Sequence, residues 1–272
     1  MLSMSQAIVP RRLDVDFSQV PRHWLASSPT ATAISNGVNM LFPHGERFFV
    51  RSVKYFLDKI DDPVLRAQIK GFFGQEGRHA HAHDEFNAVL RAQGYEIDQF
   101  LDGYKRLSDW LEARTPPKLR LAATAAAEHF TAIMAEGAFT RGSLDAAHPT
   151  MQQLLAWHAA EEIEHKAVAF DVLQKIDPSY ALRMLGLLYA TVTLSGFWLW
   201  GAITLAKQDG LTWRSALAEM RRLKADNPIV RRVFVAGIRK YARRDFHPND
   251  ADHSKLAPTW FAAHGMAMPE AA

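Results

Sequence analysis

The chain has 272 residues, 48% of them hydrophobic, and no cysteine. That length and apolar share suffice for a sizeable core in one domain with extensions, and the lack of cysteine excludes disulfide scaffolds, thiolate zinc sites and iron–sulfur clusters. The formal charge of +3 is small, and no nucleic-acid motif accompanies the late basic pairs Arg221-Arg222, Arg231-Arg232, Arg239-Lys240 and Arg243-Arg244, so no nucleic-acid partner is expected.

No strand-like alternation of useful length occurs, and the expected class is all-α. Residues 1–29, punctuated by Pro10, Pro21 and Pro29, read as an irregular arm, and the pair Arg11-Arg12 with Trp24 as an anchor places it on the surface of the bundle. The arm has no apolar signal core, so a cytoplasmic protein is expected. The first helix begins near residue 31 or after Pro43 and runs to about Ile60, with Phe42, Phe49, Val53 and Phe56 at helical spacing on its core side. Asp61-Asp62-Pro63 is a turn and helix start. The second helix runs from there to about Gln93, with Gly94 as its cap. Residues 95–117 read as a connector with one short helix, closed by Pro116-Pro117. The third helix spans about Lys118 to Arg141, and its small residues between Leu119 and Ala127 allow a neighbour to approach closely. The fourth starts after Pro149 and reaches about Ile176.

Residues 30–176 are therefore expected to form a four-helix bundle, and 177–272 a helical extension ending in a loose tail near Pro269. Within the extension, Met184 to Ala206 carries no charged residue, and about 20 apolar residues are enough to cross a bilayer. Three readings stay open: a helix buried on the bundle or in a homodimer contact, a helix in or on a membrane at its inner face, and a lid over an apolar tunnel.

Two Glu-x-x-His motifs stand on the second and fourth helices: Glu76-Gly77-Arg78-His79 and Glu162-Ile163-Glu164-His165. Residues three apart on a helix share a face, so each motif can grip one ion from one side. Glu46 and Glu128 each stand one helix and one turn upstream of a motif. Two hairpins thus offer one Glu and one Glu-x-x-His each, which is the ligand pattern of a dinuclear carboxylate site in a four-helix bundle. Glu136, near the same face as Glu128, is its alternative. His158 shares a face with Glu162 and His165, and His83 with Glu76 and His79. His158 is expected as a ligand, and His83 as a further candidate or a supporting histidine. The positions matching them in the other half are Phe72 and Ala169. Glu161, Glu164, His81 and His129 are expected to point elsewhere. Asp84 and Asp171 are weighed as proton acceptors for ligating imidazoles. Carboxylate oxygen and imidazole nitrogen suit two iron(II) ions, or manganese(II).

The helical core resembles the ferritin-like di-iron carboxylate superfamily. The stretches Gly74-Gln75-Glu76-Gly77-Arg78-His79 and Trp157-His158-Ala159-Ala160-Glu161-Glu162-Ile163-Glu164-His165-Lys166 are similar to a bacterial family of predicted metal-dependent hydrolases. The His158-x-x-x-Glu162-x-x-His165 arrangement also resembles, more distantly, di-iron arylamine N-oxygenases. The superfamily resemblance implies a di-iron oxidoreductase that uses dioxygen and an external electron donor to hydroxylate, desaturate or N-oxygenate a lipophilic or aromatic small molecule. The family resemblance implies the alternative, a two-metal hydrolase. Iron storage is a third class, against which the apolar segment and basic C-terminal part weigh.

Overall fold

The computed structural model describes residues 8–226 and 235–267. Arg231-Arg232 and Pro269 lie outside the described residues. Those described form helices and connecting turns, and one isolated bridge joins Leu25 to Ala147. The helices are α1 (Pro29–Asn39), α2 (Phe42–Lys54), α3 (Pro63–Ala92), α4 (Asp98–Arg114), α5 (Pro117–Thr140), α6 (Pro149–His165), α7 (Val168–Ile176), α8 (Tyr180–Gln208), α9 (Trp213–Asp226), α10 (Ala236–Tyr241) and α11 (Leu256–Ala263).

Local chemistry sets most of these boundaries. Asp62 caps α3 by accepting from the N–H groups of Val64 and Leu65, a contact worth about 1 kcal/mol. Proline stands in the first turn of α1, α2, α3, α5 and α6, where its missing N–H costs no intrahelical bond. Gly94 and Gly142 follow α3 and α5 with φ of +86° and +62°, a conformation that glycine adopts without a Cβ penalty.

Three expectations about the helices need correction. The first helix is two helices, broken at Met40-Leu41 because Pro43 fits only in the opening turn of the second. The connector holds α4, a full 17-residue helix, whose Phe100 and Tyr104 are buried. The fourth helix is interrupted directly after His165, where Lys166 sends its amino group to the carbonyl of Ala251 at 2.8 Å, and α7 begins at Val168.

The bundle closes as a ring: α2 packs on α3, α5 on α6, α2 on α5 and α3 on α6. Phe72, Phe86, Phe130 and Trp157 are fully buried within it, each worth about 1.5–3 kcal/mol of transfer free energy. The N-terminal arm covers the first hairpin. Ile8 sits so close to Gly71 that a Cβ there would lie 2.4 Å from the Ile8 carbonyl oxygen. Arg11, expected at the surface, is instead buried against α6.

The apolar segment 184–206 lies inside α8. One face packs on α1 and α5, with Gly186 pressed on the Ala122 backbone and Gly37 on Ala202. The small residues between Leu119 and Ala127 do admit a neighbour closely, as their sequence predicts. The other face exposes Leu185, Leu188, Val192, Leu199 and Ile203. By length and composition α8 is long and apolar enough to cross a membrane.

Candidate metal centre

The ring of α2, α3, α5 and α6 encloses Glu46, Glu76, His79, Glu128, His158, Glu162 and His165, all buried. The helical period explains the convergence. Glu76 and His79 project from one face of α3, and His158, Glu162 and His165 from one face of α6. Glu46 and Glu128 enter from α2 and α5.

The imidazole Nε2 of His165 lies 3.1 Å from Glu76, 3.3 Å from Glu128 and 3.4 Å from Glu162 Oε2. On the other side, Glu162 Oε1 lies 2.9 Å from His158 Nε2 and 3.7 Å from His79 Nδ1. Glu162 therefore spans the centre, one oxygen toward each histidine group. Two triads can each hold an ion: Glu76–Glu128–His165 and His79–His158–Glu162. Within each, the ligand atoms lie within 4.8 Å of one another. Glu46 joins either side, through Glu76 and His79 or through His83 and His158.

Unpartnered atoms mark the same place. Both oxygens of Glu46, Glu76 and Glu128, together with His79 Nδ1 and His165 Nε2, are buried without a hydrogen-bond partner. Buried carboxylates left so would cost several kcal/mol each. Two divalent cations would balance the four carboxylates of Glu46, Glu76, Glu128 and Glu162 charge for charge. The residues present therefore fit a dinuclear metal group.

The electrostatics follow from this crowding. Burial and the charges of Glu76, Glu162 and Glu128 hold the Glu46 carboxyl well above its usual range. Burial and Glu128 do the same to Glu76. Burial and Glu162 push Glu128 up to about 7. Burial also pushes Glu162 up, but the charge of His165 and the close approach of the His158 and His165 rings outweigh it and hold Glu162 low. Burial and the neighbouring His158 keep His79 and His83 low, in the neutral form that binds metals.

Each histidine is held from behind. Glu161 Oε2 lies 2.9 Å from His79 Nε2, which leaves Nδ1 facing the centre. Glu161 is in turn held by the Arg11 backbone N–H at 2.8 Å, and Arg11 grips Glu164 with two nitrogens. Gln75 Oε1 accepts from His165 Nδ1 at 2.8 Å, which leaves Nε2 facing the centre. Asn39 Oδ1 accepts from His83 Nδ1 at 2.6 Å. His83 Nε2 then accepts from His158 Nδ1 at 2.7 Å, so His158 presents Nε2. These tautomers follow from the hydrogen-bond network. The Thr131 hydroxyl bonds Glu162 Oε2.

All seven sequence-expected ligands meet here, and His83 stands directly behind His158. Glu136 does not take the place of Glu128; it faces His253, 3.4 Å from its Nε2. Asp84 pairs with Arg47 at the surface and Asp171 with His247, so neither supports a ligand. Glu161 does point away from the centre of the cluster, yet it is the carboxyl group behind His79. Sequence reasoning missed the roles of Asn39, Gln75, Thr131 and Arg11. For Gln75 a signal existed: Gln75 and Glu161 each immediately precede a motif glutamate and reach across to the other motif's histidine. For Arg11, far away in the chain, there was none.

Fold and site together define an all-helical protein with a buried glutamate–histidine cluster built for metal ions. Residues 9–252 match the family described as predicted metal-dependent hydrolase, and the chain belongs to that family. No curated protein and no solved structure matches it significantly.

Proposed function

We propose that this chain is a dinuclear metal-dependent hydrolase, its ions held by Glu46, Glu76, His79, Glu128, His158, Glu162 and His165 in a ferritin-like bundle. The supporting observation is the set of buried, unpartnered carboxylate oxygens and imidazole nitrogens converging between four helices. Divalent ions at such a position supply Lewis acidity toward a carbonyl and make water acidic enough to attack near neutral pH. The chain's part is to hold its ligands in one geometry. Glu161 and Gln75 fix the rings of His79 and His165, the Asn39–His83 relay fixes His158, and Thr131 restrains Glu162. The cleft that reaches Glu46 is lined by no lysine or arginine, which disfavours a phosphate ester and favours a neutral carboxylic ester or amide.

Two observations favour a second reading, oxidation with dioxygen at two irons. The ligands are rich in carboxylates, and the access to Glu46 is almost wholly apolar. Carboxylates tolerate a change of charge on bound iron, and an apolar approach suits dioxygen and a hydrocarbon.

Metal content and turnover separate these readings. Hydrolysis of p-nitrophenyl esters by anaerobic zinc- or manganese-loaded protein, abolished by a chelator and restored by the ion, is the expected result. An iron-loaded protein that hydrolyses nothing but consumes oxygen with a reductant would replace it by the second reading. Protein that retains no divalent ion would overturn both.

A further inference from the structure

A cavity of about 100 Å³ lies between α2, α4, α5 and α8. Its floor is Glu46 on α2 and Thr131 on α5, the residue whose hydroxyl restrains Glu162. Phe42, packed with its ring centroid 4.5 Å from both His83 and His158, closes the floor on the histidine side. One wall is the face of α5 bearing Ala123 and Ala127, whose small side chains leave the space open. Another wall is α8, through Tyr189, Thr193 and Phe197.

The hydroxyls in these walls are mostly turned to internal partners. Thr193 bonds the Tyr189 carbonyl at 2.8 Å, Tyr189 meets Thr115 at 3.1 Å, and Tyr104 donates to the Leu41 carbonyl at 3.3 Å. No basic side chain lines the cavity to hold an anionic head group. Apolar walls with few polar groups recognise a ligand by shape and hydrocarbon burial.

We infer that this cleft binds the hydrocarbon chain of the substrate and delivers the adjoining bond to the Glu46 side of the centre. The inference rests on the dinuclear reading above for the reaction, but not for binding. The segment 184–206 then serves as a wall of the substrate site. The substrate class is a molecule whose reacting bond adjoins an alkyl or aromatic part; a cavity of about 100 Å³ encloses only the stretch of it next to that bond, and the molecule is taken either free from water or from a lipid surface.

The probe is the neutral methyl ester of cis-parinaric acid, whose fluorescence rises when it leaves water. It is offered to the purified full chain, free at submicromolar concentration and, in a second arm, within phosphatidylcholine vesicles. Thr193→Phe and Ser108→Phe place bulk in the cleft from α8 and α4, outside the four ligand-bearing helices. Val192→Phe adds the same bulk on the exposed face of α8. Wild type and Val192→Phe are expected to bind saturably, with affinity at least tenfold above that of both cleft variants. Response only in the vesicle arm, with the same order of variants, supports the cleft and assigns the lipid surface as the source. Cleft variants that bind like wild type, or a wild type that binds in neither arm, overturn the inference. Metal content is measured on every sample: binding without metal leaves the cleft standing and removes the dinuclear reading, and metal without binding does the reverse.

Discussion

The two hairpins, α2–α3 and α5–α6, offer the centre the same residues, one glutamate and one Glu-x-x-His each, yet they support them differently. Behind His79 of the first stands a carboxylate, Glu161, and behind His165 of the second an amide, Gln75. A carboxylate draws the ring proton toward itself and makes the other nitrogen a stronger donor; an amide only orients the ring. The second hairpin adds His158 where the first has Phe72, and Phe72 is spent packing edge-on against His165 at 5.0 Å. The covers differ too. The first hairpin is closed by Ile8 and Pro10 against Gly71 and Gly74. The second is closed by the C-terminal segment through His129, Lys166, His247 and His253. The halves are thus alike in what they offer an ion and unlike in how strongly each histidine gives and how each flank titrates.

The largest effect should come from the residue the halves share. Glu162 reaches His165 with one oxygen and His158 with the other. Glu162→Ala is expected to empty both positions, with affinity down by at least about a hundredfold. Elemental analysis after dialysis checks it; a variant that retains one ion per chain would show that Glu162 serves a single side.

Next come the supporting partners. Glu161→Gln should weaken the ion on the His79 side by about ten- to a hundredfold, and Gln75→Leu the ion on the His165 side by about tenfold. Chelator competition should then show two unequal dissociation steps, with their order reversed between the variants. Equal losses would mean that the carboxylate and the amide are interchangeable, and the asymmetry would go. A smaller effect is expected from Asn39→Leu. It frees His83 Nδ1, so His158 can lose its preferred tautomer. A several-fold drop confined to the His158 side is expected, whereas His83→Ala should exceed it by opening a cavity as well.

The pattern of these expectations matches what the sequence carried. The candidate ligands repeat with the helix period and with hairpin length, both properties of the chain, so Glu46, Glu76, His79, Glu128, Glu162 and His165 stand where spacing puts them. Their supports obey tertiary packing. Arg11 meets Glu161 because the N-terminal arm folds back along α6, and nothing within residues 1–29 announces that path. The break after His165 was equally hidden. No proline or glycine marks it, and the turn coincides with the reach of Lys166 to Ala251. Segment 184–206 was ambiguous for a physical reason. A helix with one packed face and one bare apolar face has the composition of a buried helix and of a membrane helix at once.

The unequal covers give the mildest test, through pH. His129 follows Glu128 but points outward, its Nε2 donating to the Gly237 carbonyl at 2.9 Å while its ring packs against Tyr241 and Phe246. Burial pushes its pKa from 6.5 down to about 4. Because the folded value is depressed, the unfolded chain takes up the proton first as pH falls. The stability that neutral His129 contributes is complete above 6.5 and declines by about 1.4 kcal/mol per unit between 6.5 and about 4. His129→Phe keeps the ring packing and loses the titration and one hydrogen bond. Urea unfolding should find the variant less stable than wild type by about 1 kcal/mol at pH 7.5. By about one unit below the unfolded pKa, that deficit should have closed or reversed. Parallel pH dependence in the two proteins would mean that the C-terminal cover opens before His129 is protonated. The second hairpin would then lose its cover as a local unit rather than through one buried imidazole.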